Sequence, residues 1–209
     1  IGKAGLVVTA DNQTRVYGAS NPTLTYTVTG YVNGEGASTH SGSATITTSA
    51  SVTSTVGNVA ITAAANNLTS SNYNFTYAPG SLAITPKALT VSAADQSTIY
   101  GTALDLGTTN VGTSRFTTSG LINSDTVTAV VLKQNGNTTV PVGQSADAYT
   151  GPTNGIVVSN ATGSGLSNYA ITYAPATLTI QPKALSVAGQ TAANKVYDSG
   201  TIATINSGA

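Results

Sequence analysis

"NYNFTYAPGSLAITPKALTV" occupies residues 72–91, and "NYAITYAPATLTIQPKALSV" occupies residues 168–187. The reading of this twice-used element decides the fold. Tyr73, Phe75 and Tyr77 share one face of an extended strand, as do Tyr169, Ile171 and Tyr173. Ala78-Pro79-Gly80-Ser81 places Pro and Gly where a tight turn uses them, and Ala176 replaces that Gly in the second copy, which suits a type I turn. Leu82 and Ile84, or Leu178 and Ile180, then share a face of the next strand. The expectation is an antiparallel hairpin with one apolar side.

Beyond the hairpin lies Pro86-Lys87, or Pro182-Lys183, and a new strand carrying Leu89 and Val91, or Leu185. In a strand, the face follows the parity of the residue number. Leu82 and Ile84 are even while Leu89 and Val91 are odd, so the inward face flips across Pro86-Lys87. Leu82 and Ile84 are therefore expected to fill one core and Leu89 and Val91 to begin the next. No Gly/Ser-rich spacer intervenes, so this joint should be short and stiff. The same reading places Ile180, Pro182, Lys183 and Leu185 at a second joint.

Two further anchors recur in order. One is "KAGLVVTADNQTRVYG" from Lys3, "KALTVSAADQSTIYG" from Lys87 and "KALSVAGQTAANKVYD" from Lys183. The other is "TGYVNGE" from Thr29 against "SGLINSD" from Ser119. The chain divides into a repeat at 1–86, a longer one at 87–182, and the opening of a third at 183–209. Extra residues of the second repeat fall between anchors, at 105–115 and 130–155, where loops are expected. With Ile1 at its start and a third repeat left incomplete, the chain is expected to be a segment of a longer array.

Alternation dominates elsewhere. "LTYTVTG" puts Leu24, Tyr26 and Val28 opposite Thr25, Thr27 and Thr29, and "SATITTS", "NVAITAA" and "GIVVSN" read likewise. Turns are expected at Asn33-Gly34, Asn135-Gly136, Asn154-Gly155 and Pro79-Gly80. The fold class is mostly β, with small domains arranged end to end.

Composition narrows the function. Charged residues are 7% of the 209, against about 25% in ordinary globular chains. Net charge is zero, which argues against a nucleic-acid footprint, and no apolar run reaches the length of a membrane-spanning helix. Cys is absent, so thiolate metal sites and thiol nucleophiles are excluded. A Cys-free chain rich in Thr, Ser, Asn and Gly fits an exported bacterial surface protein.

Candidate chemistry is sparse. The seven carboxylates form no calcium loop, and the recurring acids Asp11/Asp95 and Glu35/Asp125 read as turn caps. His40, the lone histidine, reads as a surface residue without a metal partner. Lys87 and Lys183 read as solvated joint lysines rather than isopeptide donors. Tyr73, Tyr77, Tyr169 and Tyr173 read as core. Tyr31 and Tyr149 are not repeated as Tyr, which makes them the candidates for exposed ligand contact. No catalytic residue, metal or cofactor is implied.

"VYGASNPTLTYTVTGYVNGE", "NYNFTYAPGSLAITPKALTV" and their copies resemble MBG (mostly β-grasp) repeats of the Tyr-Gly type. "NKVYDSGTIATI" is similar to the start of a YDG-type repeat, with Ser199 intruding. Gly5 and the missing "NPxLTYT" after Tyr100-Gly101 depart from the pattern. The resemblance implies tandem β-grasp-like modules of large secreted or cell-surface bacterial adhesins of the filamentous-haemagglutinin kind. It implies a non-catalytic stalk whose partners are neighbouring repeats and, through the parent protein, a glycan or biofilm matrix. The alternative is a glycan- or matrix-binding module that uses the inserts of the second repeat.

Overall fold

The computed structural model describes residues 2–107, 110–111, 114–188, 191–192, 194–197, 199–200 and 205–206. The chain is mostly β. The first repeat forms β1 (Ala4–Ala10), β2 (Gln13–Val16), β3 (Tyr26–Thr29), β4 (Thr45–Thr48), β5 (Gly57–Ala64), β6 (Tyr73–Ala78) and β7 (Gly80–Thr85). They make two sheets, in the orders β3-β1-β6 and β2-β7-β5-β4. Alternation selects the buried face: Leu6, Val8 and Ala10 of β1 are inside, while Gly5 and Val7 face out.

The quoted element is not a hairpin. β6 and β7 run on in one direction, and the chain changes sheets between them. β6 lies parallel to β1, from Ala4 opposite Tyr73 to Thr9 opposite Ala78, and β7 lies parallel to β2, from Gln13 opposite Leu82 to Val16 opposite Thr85. Two bent strands therefore travel side by side through both sheets. Pro79 has no N–H for the ladder, so pairing must break there. Gly80 lets the two bends touch, because a Cβ at that position would sit 2.4 Å from the Ala10 carbonyl oxygen. The Asn12 side chain closes the gap by accepting from the Ser81 N–H at 2.8 Å. Asp95 does the same for the Thr177 N–H in the second repeat, so its structural counterpart is Asn12 and not Asp11.

The second repeat forms β8 (Lys87–Ala93), β9 (Gln96–Ile99), β10 (Leu104–Asp105), β11 (Asn110–Val111), β12 (Phe116–Ser119), β13 (Thr126–Gln134), β14 (Thr139–Val140), β15 (Ala148–Tyr149), α1 (Gly151–Asn154), β16 (Ile156–Ser164), β17 (Tyr169–Ala174) and β18 (Leu178–Gln181). Its first sheet, β12-β8-β17, repeats the order and directions of β3-β1-β6. β18 again lies parallel to β9, so Ala176 marks no turn either. The strand equivalent to β5 is interrupted: β15 pairs with β18, α1 intervenes, and β16 pairs with β13. Asn154-Gly155 therefore closes the short helix α1 and is not a hairpin turn. Asn135-Gly136 is one: both residues have positive φ (48° and 79°), and Gln134 and Asn137 exchange backbone hydrogen bonds.

The inserts pack on each other. β10 pairs with β14, and β11 adds to the edge of β13. Leu106, Leu132 and Val140 are fully buried there. Residues 108–109 and 112–113 of the first insert lie outside the described residues. In the third repeat, Thr191–Ala192 pairs with Ile205–Asn206, and Asp198 lies outside the described residues.

One cluster of buried side chains crosses the boundary between repeats. It joins Tyr17, Ile61, Leu82 and Ile84 to Leu89, Val91, Tyr169 and Leu178.

Candidate functional site: the joint between modules

β7 ends at Thr85 and β8 begins at Lys87, so Pro86 alone separates two sheets of different modules. Leu82 and Ile84 are 0% and 3% exposed, and Leu89 and Val91 are both fully buried. Pro86 is exposed and Lys87 half-buried. The parity flip read from the sequence corresponds to this change of sheet. The two sets of side chains nevertheless form one contiguous core.

A Tyr-Gly turn locks the joint from the side. The Tyr17 N–H donates to the Thr85 carbonyl at 2.9 Å, which fixes the turn beside Pro86. The Tyr17 ring then meets Tyr169 edge-to-face, at 5.6 Å between centroids. Its hydroxyl donates to Asp125 Oδ2 at 3.0 Å, and the Tyr169 hydroxyl donates to the same oxygen at 2.8 Å. Tyr169 is itself placed by the Ile122 N–H, which donates to its hydroxyl at 3.0 Å. Burial, and then its hydrogen bond to Asp125, hold the Tyr169 phenol above the ordinary tyrosine value. Gly18 has φ +78° and lies against Ile122; a Cβ there would fall 1.8 Å from Ile122 Cδ1.

A second loop of the first module completes the seal. The Val56 N–H donates to Asn168 Oδ1 at 2.9 Å, and Asn123 Nδ2 donates to the Val52 carbonyl at 3.4 Å. Arg15 braces both loops from behind. It is 6% exposed, and its guanidinium donates to Asn21 Oδ1 at 2.8 Å and to the Ser51 carbonyl at 2.5 Å. Asn21 donates in turn to the Ala50 carbonyl at 2.7 Å. The planar guanidinium fork thus ties the Asn21 and Ser51 segments together through acceptors on both.

Sequence reasoning did not place Tyr17, Gly18, Arg15, Asp125 or Asn168 at the joint. The signal for some of them was present, since Tyr-Gly recurs at Tyr100-Gly101 and an acid recurs at Glu35 and Asp125. Those two acids accept tyrosine hydroxyls from Tyr73 and Tyr169, beyond any role as turn caps.

At the second joint, Ile180 is 3% exposed, but Pro182 and Lys183 are exposed and Leu185 is 93% exposed. Among the described residues, the third repeat supplies no counterparts of β12 and β17 to cover Leu185.

Other candidates shift as well. Tyr31 and Tyr149 are half-buried rather than exposed. The Tyr31 hydroxyl bonds to His40 Nε2 at 2.7 Å, and the Tyr149 hydroxyl donates to the Ser145 carbonyl at 2.9 Å. His40 is not a plain surface residue, since it also stacks on Tyr31 and meets Phe75 edge-on. Tyr173 was expected in the core but is 42% exposed, its hydroxyl accepting from the Ala161 N–H. Among the described residues no three His, Cys, Asp or Glu side chains gather as a metal site.

A family model described as "MBG domain (YGX type)" matches twice, over residues 6–83 and 89–179. Neither the curated proteins nor the solved structures gave a match.

Proposed function

The chain belongs to the MBG domain family, YGX type, in two tandem copies, and we propose that it is a non-catalytic spacer in a large bacterial surface or secreted adhesin. On this reading the modules carry a binding tip away from the cell and transmit tension to it. Its partners are the neighbouring repeats of its own chain, and any glycan or matrix polymer is bound elsewhere in the parent protein. The observation that carries the proposal is the joint. One proline, a shared buried cluster and the Tyr17–Asp125 bond leave little freedom between modules. A spacer needs that stiffness, whereas a lone binding domain does not.

The inserts of the second repeat bury Leu106 and Val140 against the rest of the module, which fits reinforcement of the β13–β16 edge. Glycan arrays and matrix-polymer binding assays test the proposal. The isolated chain should be inert on both. Reproducible binding that is abolished by trimming residues 130–155 would overturn the spacer reading.

A further inference from the structure

The strands that carry the chain into and out of each module lie side by side and point the same way. β1 and β2 open the first module and β6 and β7 close it, with six parallel register pairs before the bend and four after it. β8 and β9 open the second module and β17 and β18 close it, again with six pairs and four. Tension on the chain therefore draws the opening strands back towards their start and the closing strands on towards their end. In a parallel pair this is sliding along the strands, across the hydrogen bonds that join them. All the bonds of the ladder are strained together before any one of them is lost. Were the two members antiparallel, entry and exit would share one end of the ladder, and tension would open it one bond at a time.

The ladder is stitched along the whole of that path. At the exits, the Tyr17 N–H donates to the Thr85 carbonyl at 2.9 Å and the Tyr100 N–H to the Gln181 carbonyl at 2.8 Å, and these carbonyls end β7 and β18. At the bends, Asn12 and Asp95 each accept a backbone N–H of the closing strand at 2.8 Å, from Ser81 and Thr177. Threonine hydroxyls cross between the same strands. Thr76 donates to the Leu6 carbonyl and Thr14 to the Ala83 carbonyl, both at 3.1 Å. Thr85 donates to the Arg15 carbonyl and Thr172 to the Leu89 carbonyl, both at 3.3 Å. Each such bond adds little to stability at rest, yet each lies across the direction of sliding.

We propose that each module is a shear clamp, in which the parallel pairing of its opening and closing strands sets the force at which the module yields. The clamp serves the tension-bearing role proposed above, but its mechanics depend on the register alone. In the second module the load path runs from Lys87, where β8 begins, to Gln181, where β18 ends.

Single-molecule pulling on the full chain tests the clamp, since forced unfolding is governed by the unfolding rate. The chain has no native cysteine, so handles attach only where cysteines are introduced. Ala88, Ser167 and Gln181 are all exposed. Handles on A88C and Q181C load the second module along its ladder. Handles on A88C and S167C draw the starts of β8 and β17 apart and open the same ladder from one end. At equal loading rate the first geometry should need at least about twice the force of the second, because its bonds load together rather than in turn. A force for A88C with Q181C that is no higher than the force for A88C with S167C overturns the clamp. Glycan binding by the chain would overturn the spacer reading and leave this comparison of forces untouched.

Discussion

The Tyr17 hydroxyl donates to Asp125 Oδ2 at 3.0 Å, across the boundary between the two modules. The two residues are 108 positions apart in the chain, yet this bond and the Tyr17–Tyr169 ring contact decide how the modules sit. Tyr17→Phe should cost about 1–2 kcal/mol, because it leaves the ring packed and removes only the hydrogen bond. Tyr17→Ala should cost about 3–5 kcal/mol through the cavity it opens. Urea denaturation measures both. A continuous core also predicts one cooperative transition for the wild-type pair and separate transitions for Tyr17→Ala.

Gly80 tests the strand switch directly. Were 78–81 a turn with glycine at its third position, Gly80→Asn would be tolerated, since Asn accepts left-handed conformations. In the fold as it stands, any Cβ meets the Ala10 carbonyl and neither backbone can retreat. Gly80→Ala and Gly80→Asn should both destabilise the chain, by about 1–3 kcal/mol, because the added Cβ overpacks the contact. Thermal melts read the difference.

That element shows where the sequence was legible and where it was not. The alternation of Leu82, Ile84, Leu89 and Val91 gave the faces, because parity is a property of a single strand. The direction of the chain after Pro79 was not legible, because Pro-Gly serves a reversal and a bend equally well. Only pairing with β1 and β2, nearly seventy residues earlier, distinguishes them. Tyr17 was visible as a repeated anchor, but its partner Asp125 was not, since nothing local links them. Tyr31 was assigned to the surface because it is unrepeated, while its burial comes from His40, which is unrepeated too.

Arg15 should prove hard to replace. Arg15→Leu would remove the guanidinium's part-buried hydrogen bonds to the Ser51 carbonyl and the Asn21 amide oxygen. A cost of about 1–3 kcal/mol is expected for the loss of these charge-assisted hydrogen bonds. Arg15→Lys should recover only part of it, since an ammonium cannot span the same fork of acceptors. Hydrogen exchange should show loosening at residues 50–56 ahead of the sheets.

Alkaline pH should weaken the fold through two tyrosines. The Tyr73 phenol is held above the ordinary tyrosine value of 10.0, chiefly by its hydrogen bond to Glu35, and the Tyr169 phenol chiefly by burial. A raised folded-state value favours the protonated form. Its stabilisation is therefore complete below pH 10.0 and is lost as pH rises through the higher folded value. Ultraviolet difference titration should show late-ionising phenols in the wild type and fewer of them in Tyr169→Phe. Equal loss of stability with pH in Tyr73→Phe, Tyr169→Phe and the wild type would exclude the effect.

The central claim is that the two modules form one stiff unit held by the joint. Spin labels on T47C and T128C, both exposed positions in different modules, report it through their distance distribution. A single narrow distribution is predicted for the wild-type joint, broadening in Tyr17→Ala with Asp125→Ala. A broad distribution in the wild type, unchanged by those substitutions, would contradict the account.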